Sequence, residues 1–492
     1  MGERLRHPAA RPDFSTYDQT MPLVAGVDSS TGSTKVEIRD AVSGTLIASG
    51  SGAHPATTPP RSEQDPAAWW TAFTSAWVQA GSPTVDAISV AGQQHGMVVL
   101  DSDGSVLRPA KLWNDTESAD DATALVAAMP GGAAGWAAAC GSVPVAAFTI
   151  TKLAWLRRHE PDVWNRVAQV LLPHDWLTSR LTGRYTTDRG DASGTGYWSA
   201  AVGSYRADLL SLVDGSKDWG DLLPEVLGPL DAAGSWQGAL VACGTGDNMA
   251  AALGSGLQPG DVAISLGTSG TVYSVSETPT ADPTGAVAGF ADASGRFLPL
   301  VCTLNATKVT DAIRRLLGVD LETFNDMALA APSGAGGLTL LPYLDGERTP
   351  NRPNASGVLS GLRSDVTPEQ MARASVEGVI CGLLDGLDAL GRLAPVSAGR
   401  LILVGGGARS AAFRQVLADL TGRRVHVPRA TEHVAAGACV QAAALLSHEE
   451  PTAVAARWNL GEGNIVEPTT APVGMSVAEV RHRYGLRRDA EG

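Results

Sequence analysis

Asp247 lies in Gly244-Thr-Gly-Asp-Asn248, directly after the apolar run Leu240-Val-Ala-Cys243. An acid at a strand end, with glycines upstream, leaves room for a ligand hydroxyl to come within about 3 Å, the reach a general base needs. Capping a helix N-terminus is the structural job for such an aspartate, and the two roles are compatible. A second acid, Asp28, ends the run Leu23-Val-Ala-Gly-Val27 and opens Asp28-Ser-Ser-Thr-Gly-Ser-Thr34. Backbone N–H groups and hydroxyls in a loop of such small residues can converge on an anion. The carboxylate beside them suits Mg²⁺ that a nucleotide brings. An ordinary polar hairpin turn has the same composition, so this loop alone decides little.

The loop has a mate. Val262-Ala-Ile-Ser-Leu266, Gly267-Thr-Ser-Gly270 and Thr271-Val-Tyr-Ser-Val275 repeat the pattern of run, turn and alternating run, and Thr268 falls on Thr31. Two such loops can grip a chain of phosphates from both sides. The counterpart of Asp28 is Ser265, so only the first copy keeps the acid. A third loop, Val404-Gly-Gly-Gly-Ala-Arg-Ser410, follows Arg400-Leu-Ile-Leu-Val404. Gly405, Gly406 and Gly407 carry no side chains, and a planar base can lie flat against such backbone. Gln94-His95-Gly96 joins two strand-like runs, with polar neighbours suited to a polyhydroxylated ligand. Trp113-Asn114-Asp115 offers a ring and two polar groups. Neither a P-loop, a G-x-G-x-x-G fingerprint nor a G-x-S-x-G elbow is present.

These loops need elements to hold them. Asp86-Ala-Ile-Ser-Val-Ala91 and Met97-Val-Val-Leu100 read as strands, 150–160 and 174–182 as helices, Met249 onward as a helix start and Ser410–Thr421 as another helix. Strands mixed with helices throughout give an α/β architecture. The repeated hairpin suggests an internal duplication. The seam falls near Gly254-Ser-Gly256, which divides the chain into an arm at 1–20, a first lobe at 21–253, a second at 254–445 and a tail at 446–492.

Composition bounds the rest. The 492 residues are 44% hydrophobic, enough to bury large cores, and the net charge of −14 disfavours nucleic acid and anionic membrane as partners. Five of the 37 cationic residues are lysine. The five cysteines are scattered singly, as in a reducing compartment. No apolar run approaches the roughly 20 residues of a membrane span, and the first twenty residues lack a signal-peptide core. A cytoplasmic protein, monomeric or homodimeric, is expected.

The Asp-led hairpin, its repeat, the Gly-Asp-Asn turn and the Gly-Gly-Gly-Ala-Arg-Ser loop together resemble the FGGY carbohydrate kinases. Further matching runs are Ser62-Glu-Gln-Asp-Pro66 with Trp69-Trp70, Ala91-Gly-Gln-Gln-His-Gly96, Leu112-Trp-Asn-Asp115 and Lys152-Leu-Ala-Trp155 with Arg158-His-Glu-Pro161. Leu171-Leu-Pro-His-Asp175, Leu341-Pro-Tyr-Leu-Asp-Gly-Glu-Arg-Thr-Pro350 and Leu417-Ala-Asp419 complete the set, over about residues 21–445. The resemblance implies two actin-like (ribonuclease H-like) lobes with a cleft between them. It implies ATP and Mg²⁺ as cofactors and phosphorylation of D-xylulose, with ribulose, gluconate, glycerol or a non-catalytic nucleotide-binding role as alternatives. By the same resemblance Asp247 is the base, and Gln94, His95 and Asn248 bind sugar. Asp28 stands near metal and phosphates, and Thr31, Thr268, Gly405, Gly406, Gly407 and Ser410 line the nucleotide site. Ser30 stands where the family has glycine, and Thr116-Glu117 follows Asp115 where an arginine is common two residues on.

Overall fold

The computed structural model describes residues 21–490 apart from 397, 431, 471 and 472. The arm expected at 1–20 lies outside them. The first sheet is built from β1 (Leu23–Ser29), β2 (Ser33–Asp40), β3 (Leu46–Ala53), β4 (Ala87–Gly92), β5 (Ala232–Trp236), β6 (Ala239–Ala242) and β7 (Thr245–Gly246). Their order is β5-β6-β4-β1-β2-β3, with β7 also paired to β4. The second sheet has β8 (Val262–Leu266), β9 (Gly270–Ser274), β10 (Ala288–Ala291), β11 (Phe297–Thr303), β12 (Leu401–Val404), β13 (Val425–Pro428) and β14 (Gly463–Val466). It runs β10-β11-β9-β8-β12-β13-β14.

The two orders superimpose. In each sheet a parallel core (β1 beside β4, β8 beside β12) continues into an antiparallel hairpin on one side and ends in an antiparallel edge strand on the other. The duplication legible in two hairpins thus extends to whole sheets. Val24, Ala25 and Val27 of β1 are buried, as are Val262, Ala263 and Ile264 of β8. Central parallel strands covered on both faces need such unbroken apolar runs rather than alternation.

Helices cover the sheets. α1 (Pro66–Gln79), α2 (Thr149–His159), α3 (Pro173–Thr182) and α4 (Arg189–Ser193) belong to the first half, and α5 (Asp247–Gly254) leads out of it. In the second half come α6 (Thr307–Leu317), α7 (Pro368–Gly391), α8 (Ala411–Thr421) and α9 (His433–Ser447). The long α7 starts in a capping box, with Thr367 accepting from Gln370 N at 3.3 Å and Gln370 accepting from Thr367 N at 3.1 Å.

The seam is closer than a linker. α9 comes late in the sequence, yet it lies on the first sheet and against α5. A Cβ on Gly26 of β1 would stand 2.1 Å from Ala435 O, and one on Gly437 would stand 1.8 Å from Ala250 O. Conversely, a Cβ on Gly254 would meet His433 O at 1.8 Å. Glycine and alanine let the two helices cross with backbones touching, and Ser89 Oγ donates to Gln441 Oε1 at 2.9 Å to tie α9 to β4.

The tail serves both halves. After α9, α10 (Pro451–Arg457) sets the Arg457 guanidinium on Ala41 O and Val42 O of the first half. β14 then adds the edge strand of the second sheet, and α11 (Val477–Ala490) buries Val480 and Tyr484 in the second core. Among the described residues no single helix is long and apolar enough to cross a membrane.

Candidate active site

The residues singled out in the first half converge at the C-terminal ends of parallel strands, where open α/β sheets present ligands. Ser29 of β1 is level with Gly92 of β4, which is level with Gly246 of β7. Asp28, the Gln93-Gln94-His95 turn and Asp247 therefore project from one edge. The second half repeats this, with Ser265 of β8 level with Val404 of β12, so the Gly267–Gly270 and Gly405–Gly407 loops are neighbours.

Asp247 is the first residue of α5, and the cap position belongs to Gly246. The capping role open to Asp247 on sequence is therefore not the one it fills. Its Oδ1 accepts from Asn248 N at 2.8 Å and Asn248 Nδ2 at 3.1 Å, and Asn248 Nδ2 also donates to Gln94 Oε1 at 2.9 Å. Burial, then the charges of Asp28 and Asp191, raise the Asp247 carboxyl to about 7. The upstream glycines do not make room for a ligand, as their sequence position suggested. A Cβ on Gly246 would lie 2.6 Å from Gln94 Cγ, and one on Gly244 would lie 2.6 Å from Val90 O and 2.7 Å from His174 Cδ2. They let the turn settle onto its neighbours.

His95 has φ 67°, an uncommon backbone for a non-glycine residue, and this turns its ring into the protein. The ring stacks on Phe148 at 5.0 Å between centroids and leans on Phe290 of β10 at 5.6 Å. Nδ1 lies 2.7 Å from Gly194 O. A carbonyl only accepts, so Nδ1 carries the proton and Nε2 is left as an acceptor. Burial first, then Arg348 and Lys152, push this imidazole down to about 3, so it stays neutral. Beside it, Gln94 Nε2 and Gln93 Nε2 are buried and have no protein partner.

At the first hairpin, Thr31 Oγ1 accepts from Trp113 Nε1 at 2.8 Å and donates to Gln93 Oε1 at 3.3 Å. Trp113 is thus a brace for this loop. Asp115 is consumed by structure, accepting from Ser62 N at 2.9 Å and pairing with Lys111 at 3.1 Å. Glu117 also pairs with Lys111, which explains the acid in that strip. Asn114 Oδ1 remains buried and unpartnered. Ser30 keeps a negative φ, so serine replaces glycine without strain, and its N–H donates to Ser33 O at 3.0 Å. Asp28 Oδ1 is buried without a partner. Burial raises its carboxyl to about 7, with Lys35 opposing and Glu432 and Glu37 adding. An orphaned hard oxygen beside a phosphate-type loop is the donor that Mg²⁺ takes.

The second hairpin turn is one residue tighter, since Leu266 pairs with Gly270 where Ser29 pairs with Thr34. It exposes Thr268 and is held by Ala306 N on Thr268 O at 3.2 Å and Thr307 N on Gly267 O at 3.0 Å. Gly405 has φ 85° and Gly407 packs on Leu266, whereas a Cβ on Gly406 would meet open space. Ser410 is committed elsewhere. It caps α8 by accepting from Phe413 N at 3.2 Å, and it donates to Asn325 Oδ1 at 2.5 Å.

Sequence reasoning missed the layer beneath. Buried His174 of α3 holds Asp191 Oδ2 at 2.7 Å from Nδ1 and Asp175 Oδ1 at 3.3 Å from Nε2. Burial opposes its charge, but Asp175, Asp191 and Asp188 outweigh that and raise it to about 10. Asp188 accepts from Thr245 Oγ1 at 2.7 Å, so the imidazolium cluster seats the turn that carries Asp247. The run Leu171-Leu-Pro-His-Asp175 was the only signal for it. Gln93 could have been read from its motif, but Phe148 and Phe290 carried no such sign.

Residues 23–254 match the N-terminal domain of the FGGY family of carbohydrate kinases, and 262–446 match its C-terminal domain. The chain is 49% identical over 458 residues to the xylulose kinase of Streptomyces rubiginosus, covering 91% of this chain and 92% of that one. It is 48% identical over 457 residues to the xylulose kinase of Streptomyces coelicolor, covering 91% and 92%. The crystal structure of xylulose kinase from Bifidobacterium adolescentis is 43% identical and superimposes with a TM-score of 0.82, covering 95% of this chain and 99% of that one.

Proposed function

Because the chain belongs to the FGGY family of carbohydrate kinases, we propose that it transfers the γ-phosphoryl group of ATP to D-xylulose, giving D-xylulose 5-phosphate and ADP. The relatives named xylulose kinase support the choice of sugar. The observation that carries the site is the set of uncommitted buried polar atoms on the turns that share a sheet edge with Asp247: Gln93 Nε2, Gln94 Nε2 and Asp28 Oδ1. Orphaned buried polar groups are costly, and a polyhydroxylated ligand with its nucleotide would satisfy them.

In this reading Asp247 accepts the proton of the sugar's terminal hydroxyl. That oxygen bonds to the γ-phosphorus while the bond to the β,γ-bridging oxygen breaks, and ADP leaves with the electron pair. Gln94 donates to a sugar oxygen and His95 Nε2 accepts from a sugar hydroxyl, which fixes the acceptor for in-line attack. Thr31 and Thr268 with their turn amides hold the phosphates from opposite halves, and Gly405–Gly407 give the base a flat wall. Asp28 would hold the nucleotide's Mg²⁺, whose part is to neutralise phosphate charge. Closure of the two halves over the bound sugar and nucleotide would keep water from competing as acceptor.

A coupled ADP-release assay over pentuloses, aldonates and polyols tests the reading. D-xylulose should give the highest kcat/KM; a higher value for ribulose, gluconate or glycerol overturns the sugar assignment.

A further inference from the structure

Arg348 takes no part in the reading above, yet its segment is stitched to the phosphate-loop end of the second sheet. Thr349 Oγ1 donates to Cys302 O at 2.9 Å, and Cys302 stands opposite Thr271 in the sheet. Glu347 accepts from Leu304 N at 2.6 Å, Asn305 Nδ2 at 2.9 Å and Arg348 N at 2.7 Å. Thr303, between these anchors, donates from Oγ1 to Gly270 O at 3.3 Å. Residue 348 is therefore fixed beside the Gly267–Gly270 turn.

From there its guanidinium lies within hydrogen-bonding reach of the Cys302 thiol in its own half, and its charge reaches across to the other. Its charge is felt by His95 and Lys152 of the first half, lowering both, after burial as the larger cause. Neighbouring cations are occupied: Lys152 donates to Ala146 O at 2.7 Å and Ala147 O at 2.5 Å, Lys308 lies 3.7 Å from Asp345, and Lys35 pairs with Glu432. Glu347 is turned inward onto its donors. Among the described residues no carboxylate lies within 4.0 Å of the Arg348 side chain, which is only partly exposed. A partly desolvated guanidinium without a counter-charge, between a phosphate loop and a sugar site, lacks the anion it is shaped to hold.

We propose that Arg348 contacts the phosphoryl group in flight, binding its non-bridging oxygens between the Gly267–Gly270 turn and the acceptor at His95. This rests on the kinase reading but not on the identity of the sugar. As the γ-phosphorus leaves the bridging oxygen and bonds to the acceptor oxygen, Arg348 neutralises the equatorial charge and exchanges no proton, while Asp247 takes the acceptor's proton.

The test compares Arg348→Ala, Arg348→Lys and Arg348→Gln with the wild-type chain, on the sugar that the wild type turns over best. The expected loss in kcat is on the order of 100-fold or more for Arg348→Ala and Arg348→Gln, as for removal of one transition-state donor. Arg348→Lys should recover part of it, KM for sugar and ATP should move by no more than about threefold, and sugar-free ATP hydrolysis should fall by a similar factor. Added guanidinium ion should partly rescue Arg348→Ala. A kcat loss under about fivefold, or a sugar KM that rises while kcat holds, overturns the proposal. Failure of the kinase reading would appear in the wild-type chain itself, whereas failure of this proposal appears only in the variants. Unchanged ADP affinity and Tm separate a lost contact from a lost fold.

Discussion

The acid limb of activity follows from where Asp247 sits. Burial and the charges of Asp28 and Asp191 hold its carboxyl near 7, about three units above an ordinary aspartate. A base must be ionised to take a proton, so activity falls as pH drops through that value. The ionised fraction is about one half at pH 7, about one-tenth at pH 6 and about one-hundredth at pH 5. Asp28 titrates in the same range, so where both must be charged the limb steepens from a slope of one towards two. Replacing Asp28 with asparagine removes a neighbouring negative charge, and the limb of the residual activity should shift to lower pH with unit slope. The assay is kcat/KM for the sugar from about pH 5 to about pH 9, which reports the free enzyme's groups. A profile flat down to about pH 5 would refute the reasoning, because an aspartate with an ordinary pKa would still be charged there.

Other perturbations have equally definite outcomes. His95 is held neutral by burial, Arg348 and Lys152, so it should add no step of its own to the limb set by Asp247; His95→Ala should raise the sugar KM about tenfold with the loss of one buried hydrogen bond. Gly437→Ala sets a Cβ 1.8 Å from Ala250 O; despite alanine's better helix propensity, urea unfolding should show a loss of roughly 1–3 kcal/mol, and a gain would contradict the crossing. Lys152 is buried and pushed down to about 7 from 10.5. Unfolding lets it regain a proton at any pH between those values, so stability rises as pH climbs from 7 towards 10.5, and Lys152→Met should flatten that rise.

Loops were more legible than the layer supporting them. Asp28, Thr31, Thr268 and the triple glycine announce themselves because phosphate-type turns demand small residues in one short stretch. The duplication was legible too, since both copies kept the strand-turn-strand pattern. Phe148 and Phe290 were not, because they reach His95 from sequence positions 53 and 195 residues away with no periodic sign. The His174 cluster was hidden for a related reason: its partners Asp188 and Asp191 look like surface acids until α4 turns them inward. The division at the Gly254 seam put residues 433–445, most of α9, with the second lobe. Gly26, Gly254 and Gly437, read together in space, and the Ser89–Gln441 bond show that it lies across to the first sheet.

The central claim is that Asp247 takes the acceptor's proton during phosphoryl transfer to D-xylulose. The most direct measurement is ADP release with D-xylulose by wild-type chain and Asp247→Asn, alongside ATP affinity by calorimetry. The account predicts a loss in kcat on the order of 10²–10⁴-fold, the usual contribution of a general base, with ATP affinity unchanged. Near-normal turnover by Asp247→Asn would contradict it.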